Sequence, residues 1–195
     1  MPFQQEKPLL QGSHLSVEAA LTLADAGETQ AARAILLEIT EQNPNDISAW
    51  LWLAQLAFSW RGREAYLRRL LSINPTHSLA RKALAEMIFT DAIEAINIGD
   101  WDQGALLLKE AAELNPKHEP TWMWLASLTI ETDPVQTIEY LKHVLDINPK
   151  NEKAVTWLDE IYQRILGSPV PPTLIRQSET EVAPHHNTQD SLAVA

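Results

Sequence analysis

The residues best equipped for chemistry in this chain are its histidines and carboxylates, and their spacing points away from catalysis. His185 and His186 are adjacent and form the nearest approach to a metal cluster. A metal site needs three or four ligands in rigid geometry, and this stretch has no periodic pattern to hold them. His14, His77, His118 and His143 stand alone and read as surface residues. Close carboxylates occur as Asp100 with Asp102 and as Glu110 with Glu113. A general acid and base need a desolvated cleft as well as two carboxyls, whereas helical carboxylates at these spacings read as a solvated face. Asp46, Asp100 and Asp102 sit where they would cap or favour a helix N-terminus. A Gly-rich phosphate loop, a His-Glu-x-x-His helix and a Gly-x-Ser-x-Gly elbow are all missing. Cysteine is absent too, so thiol nucleophiles, thiolate metal sites and disulfides are excluded. The expectation is a non-enzymatic chain with no cofactor and no metal.

Composition narrows the partners. The 195 residues fit one compact domain plus tails. Fifteen Lys and Arg against 26 Asp and Glu give a formal charge of -11, which opposes binding to nucleic acid or to an anionic membrane surface. The N-terminus MPFQQEKPLLQGSHLS lacks a basic stretch followed by a long apolar run and reads as neither signal peptide nor anchor. Apolar runs elsewhere fall short of the ~20 residues that span a bilayer. A cytoplasmic protein is expected.

The elements that must position any site are set by internal repetition. Asn-Pro closes four amphipathic runs, at Asn43-Pro44, Asn74-Pro75, Asn115-Pro116 and Asn148-Pro149, with proline spacings of 31, 41 and 33 residues. Each ends a helix, because proline cannot continue the ladder and excludes the residue before it from the helical region. A larger period overlies the smaller: AWLWLAQL from Ala49 matches TWMWLASL from Thr121, 72 residues on. Trp50, Leu53, Ala54 and Ala57 fall at i, i+3, i+4 and i+7, on one helical face. Gly27 and Gly99 stand between helices, where positive φ ends one helix before the next begins. Nine helices are expected, over 15–26, 29–42, 46–59, 62–73, 77–98, 102–114, 118–131, 134–146 and 151–166. The run from Ser78 to Ile98 contains no Gly or Pro and is expected to be a single long helix.

Trp50, Leu53, Ala54, Leu67 and Pro75, and again Trp122, Leu125, Ala126, Leu141 and Pro149, resemble the signature of the tetratricopeptide (TPR) repeat family: tryptophan, leucine and a small residue on the first helix, an apolar residue on the second, a closing proline. Ala20, Gly27, Ala32, Leu36 and Pro44, and Ala92, Gly99, Leu108, Ala111 and Pro116, match less fully, with Ile88 where a tryptophan would fall. The chain resembles four-repeat proteins of bacteria. The resemblance implies an all-α, right-handed solenoid of helical hairpins over 14–167, with repeats at about 14–45, 46–76, 85–117 and 118–150 and a capping helix at 151–166. Residues 1–13 and the Pro-containing 168–195 are expected to be disordered.

By resemblance, the first helices line a concave groove through Val17, Leu21, Leu51, Trp52, Gln55, Phe58, Phe89, Ile93, Ile96, Met123, Trp124 and Ile130. Family members that clamp a C-terminal carboxylate use Lys, Asn and Arg there; the corresponding Val17, Leu21, Trp52, Glu86 and Thr90 supply no such clamp. Charge is uneven: Arg61, Arg63, Arg68 and Arg69, with Arg81 and Lys82 against Glu64, give a local +5, followed by a local -9 from Ala83 to Asp146. The arginines read as a solvated face or an electrostatic contact. No aromatic residues are interleaved with them to stack bases. Two functions remain open: a scaffold or adaptor that holds a segment of an unknown protein in an apolar groove, and a structural subunit of a homo-oligomer or larger complex.

Overall fold

A computed structural model describes residues 15–167. The terminal segments 1–13 and 168–195, with His14, His185 and His186, lie outside the described residues. Among the described residues the chain is all-α and has nine helices arranged as successive hairpins: α1 (Val17–Asp25), α2 (Thr29–Gln42), α3 (Ile47–Gln55), α4 (Trp60–Ile73), α5 (Ser78–Asn97), α6 (Trp101–Leu114), α7 (Glu119–Thr129), α8 (Pro134–Ile147) and α9 (Glu152–Leu166). They divide into two compact units, one up to Asp91 and the other from Ala92, and α5 contributes to both.

The Asn-Pro sequences build the same link four times. Each asparagine ends its helix at φ near -130° and ψ between 82 and 88°, the extended ψ that a following proline imposes. Its N–H still donates to the carbonyl four residues back, at 2.8 or 2.9 Å, and its own carbonyl accepts from the N–H of Asp46, His77, His118 or Asn151. Three of the asparagine side chains accept a further bond from the N–H two residues on. The carboxylate of Asp46 accepts from the N–H of Ala49 at 2.9 Å, and the Asn151 side chain accepts from Ala154 at 2.8 Å, so each caps the helix that follows.

In unit 1, Ala20, Ala32, Ile35, Leu36, Ala49 and Leu53 form a buried cluster against which Trp50, Trp52 and Tyr66 pack. Gly27 turns α1 into α2 at φ 86°, with the Glu28 N–H bonded to Leu23 O at 2.8 Å, a left-handed closure that a Cβ would strain. The 46–59 expectation for α3 is corrected: the helix stops at Gln55, and α4 begins at Trp60 rather than at the expected Gly62. Arg33, reaching from α2, donates from Nη1 to the Leu56 carbonyl at 2.8 Å. The Ser59 hydroxyl then accepts from the Gly62 N–H at 3.1 Å and starts the next helix.

In unit 2, Ala126, Leu141, Val144, Leu145, Ala154, Leu158 and Ile161 form the buried cluster around α7, α8 and α9. Gly99 repeats the turn of Gly27 at φ 89°. Gly104 on α6 lies so close to α5 that an added Cβ would stand 2.4 Å from Cγ1 of Ile96. The helix α9 buries Ala154, Leu158 and Ile161, an i, i+4, i+7 stripe, and ends on the left-handed Gly167.

Candidate functional site

The tryptophans repeat as two pairs, Trp50 with Trp122 and Trp52 with Trp124, and all four are half-buried. Trp50 donates from its indole N–H to the Pro44 carbonyl at 2.9 Å, and Trp122 donates to Pro116 O at 2.9 Å. Each indole is tilted against a tyrosine from the following helix, Tyr66 at 6.0 Å and Tyr140 at 5.9 Å between ring centroids. Burial, and secondarily the charge of Asp133, pushes the Tyr140 phenol above its ordinary pKa. Trp122 also stacks on His143 at 4.3 Å, and the Arg69 guanidinium stands 5.8 Å from the Trp50 ring. These tryptophans hold each hairpin to the link that precedes it.

Trp52 and Trp124 lie two residues further on and are only half-buried. In unit 1, Leu51 and Phe89 are half-buried as well, while Gln55 is exposed. Phe58 is 68% exposed, but it lies beyond the end of α3 in the connection to α4, with the Arg33 guanidinium 4.5 Å from its ring. It is therefore not part of the α3 face that the sequence assigned it to. In unit 2, Ile93 is half-buried. Ile96, expected on the groove, is buried at 4% exposure because Gly104 leaves room for its side chain between α5 and α6.

The arginines expected to act together do not form one free patch. Arg61 and Arg63 are exposed. Arg68 pairs through Nε with Glu64 at 2.8 Å, one turn away. Arg69 donates to the Pro44 carbonyl at 3.0 Å and to the Ser72 hydroxyl at 3.4 Å. It thus completes the same link that Trp50 closes.

Met123 and Trp124 of α7 meet side chains that sequence reasoning left out of the site. With Ser127 of α7 and Lys153 and Trp157 of α9, they line an open pocket of about 170 Å³. Lys153 and Trp157 stand one turn apart on α9, with the Lys153 Nζ 4.6 Å from the centre of the Trp157 ring. The Ser127 hydroxyl donates back to the Trp124 carbonyl at 2.7 Å. Met123 and Trp157 also pack against the buried cluster that contains Ala126, Ala154 and Leu158. Reading α9 only as a cap hid Trp157. The usable signal was its amphipathic pattern, which leaves Lys153 and Trp157 beside the buried stripe rather than opposite it.

Among the described residues no three His, Cys, Asp or Glu side chains stand together as a metal site, and no helix is long and apolar enough to cross a membrane. Glu139 and Lys142 form an exposed pair at 2.9 Å. Their bond lowers the carboxyl pKa and raises that of the ammonium, the pattern of a surface ion pair.

The sequence model of the family described as tetratricopeptide repeat matches residues 14–56. The fold is tetratricopeptide-like. That match spans the first hairpin and α3, and no curated protein matches the chain. Solved structures resembling this tetratricopeptide-like chain include YrrB, described as a TPR protein with an unusual peptide-binding site: 12% identity, 76% of this chain and 75% of that one, TM-score 0.44. MamA from Desulfovibrio magneticus RS-1, residue 41 to its end, is 14% identical over 75% of this chain and 81% of that one, with a TM-score of 0.42. TTC0263, a thermophilic TPR protein of Thermus thermophilus, is 20% identical over 76% and 80%, with a TM-score of 0.36. At these scores the likenesses bear on neither the pocket nor its occupant.

Proposed function

We propose that this chain is a non-catalytic, cytoplasmic scaffold that holds a segment of another protein, with the pocket between α7 and α9 as its anchor. The observation that carries this reading is an open pocket lined by Met123, Trp124 and Trp157, of which Met123 and Trp157 pack on the buried cluster of unit 2. Large aromatic side chains that stay partly in water in the free protein gain most when a partner covers them. Half-buried Trp52 and Leu51 of α3 extend the reading to an apolar groove in unit 1. The test is affinity purification of the tagged chain beside a Trp124→Ala, Trp157→Ala double variant checked for helicity by circular dichroism. A partner retained by wild type and lost by the folded variant supports the scaffold; a partner that both retain sinks it.

A structural or assembly subunit is the second reading, motivated by exposed Arg61 and Arg63 on a helix that carries one carboxylate in a chain of net charge -11. It expects salt-sensitive self-association by light scattering, and a monomer at low salt and high concentration would count against it.

A further inference from the structure

The lining of the α7–α9 pocket contains one ammonium and no carboxylate, and from this we infer that its occupant is an acidic peptide segment anchored by one phenylalanine or leucine side chain. The inference rests on the reading of the pocket as a partner site and adds the chemistry of that partner. Size is consistent with such an anchor: the open pocket offers about 170 Å³, and an apolar cavity of about 150 Å³ accepts a benzene ring. One phenyl or branched aliphatic side chain fits, between two indoles and a thioether that favour aromatic and apolar neighbours.

Charge fixes what flanks the anchor. The described part of unit 2 has 13 acidic and six basic residues, yet Lys153 is the only charged group that lines the pocket. Its ammonium stands over the Trp157 ring, within the lining itself. A carboxylate next to the anchor meets that ammonium. A lysine or arginine in the same place meets it as a like charge and gains no counter-charge from the lining. Because unit 2 as a whole repels an acidic segment at a distance, recognition is local to this contact and does not depend on steering.

Fluorescence anisotropy with short labelled peptides tests this on the full chain. The probes are a peptide with one Phe flanked by Asp residues, its Phe→Ala form, and a form with Lys in place of each Asp. Wild type is expected to bind the Phe-Asp peptide about tenfold more tightly than either control, and Lys153→Glu to reverse the preference between Asp and Lys flanks. Lys153→Met, which keeps the apolar stem, is expected to bind both flanks alike. Equal binding of Asp- and Lys-flanked peptides by wild type, both lost in Trp157→Ala, overturns the charge inference and leaves the pocket as a partner site. If neither Phe peptide binds better than the Phe→Ala peptide, the inference and the partner site fall together.

Discussion

The two units use the same 72-residue pattern with two different solutions at matching positions. Ala24 and Ala32 of unit 1 correspond to Ile96 and Gly104 of unit 2. Where unit 1 packs two small side chains, unit 2 gives one helix a large residue and takes the whole side chain from the other. The ends of α3 and α7 differ in the same spirit. Arg33 holds the Leu56 carbonyl from the preceding helix, whereas Ala105 occupies its place in unit 2. There Arg164 of the following α9 donates to the Ile130 carbonyl at 2.8 Å and pairs with Glu131 at 3.3 Å. A repeat fold thus fixes the locations that must be filled and bonded, and leaves open which neighbour does it.

Core positions are where the units should behave alike. Leu53→Ala and Leu125→Ala, both removing almost fully buried side chains, are each expected to cost about 2–5 kcal/mol in denaturant unfolding. A neutral result at either one breaks the equivalence. Gly104→Ala should cost about 1–3 kcal/mol through overpacking against Ile96. In an Ile96→Ala background the same change should cost less, since the clash with Ile96 is gone and only the 3.2 Å approach to the Ala92 carbonyl remains. Arg33→Ala is expected to cost about 1.5–3 kcal/mol, as a charged donor leaves a partly buried carbonyl. Arg164→Ala, whose partners are exposed, should stay below about 1 kcal/mol.

Trp50→Phe and Trp122→Phe each remove one indole donor to a proline carbonyl and should cost a matched ~0.5–1.5 kcal/mol. Unequal costs would show that Arg69 and His143, which cover the two indoles, are not equivalent. The smallest effect concerns pH. The phenol of Tyr140 is raised mainly by burial and then by Asp133, so Asp133→Asn should lower its titration part of the way, followed by NMR. The sign is that of a raised acid: its stabilising share is complete below the unfolded phenol pKa and is lost as pH rises through the folded one.

What sequence could and could not show follows the range of the interactions. The helix-ending Asn-Pro pairs, the positive φ at Gly27 and Gly99 and the unbroken α5 are local, and each was legible from neighbouring residues. The early end of α3 was not, because the group that takes the Leu56 carbonyl lies 23 residues earlier, on α2. Ile96 looked like a groove residue because its burial depends on a missing side chain on the next helix. Half of the pocket was legible in Met123 and Trp124. Lys153 and Trp157 were not, because their place beside α7 is a matter of helix packing rather than spacing.

Because the backbone and asparagine bonds that shape every Asn-Pro link join residues no more than four apart, these turns can form early, before any distant pairing. Chains built from contacts of short sequence separation fold in microseconds to milliseconds rather than seconds. A stopped-flow or temperature-jump trace should place this chain in that fast class, with little time during synthesis when its tryptophans stand exposed and unpaired.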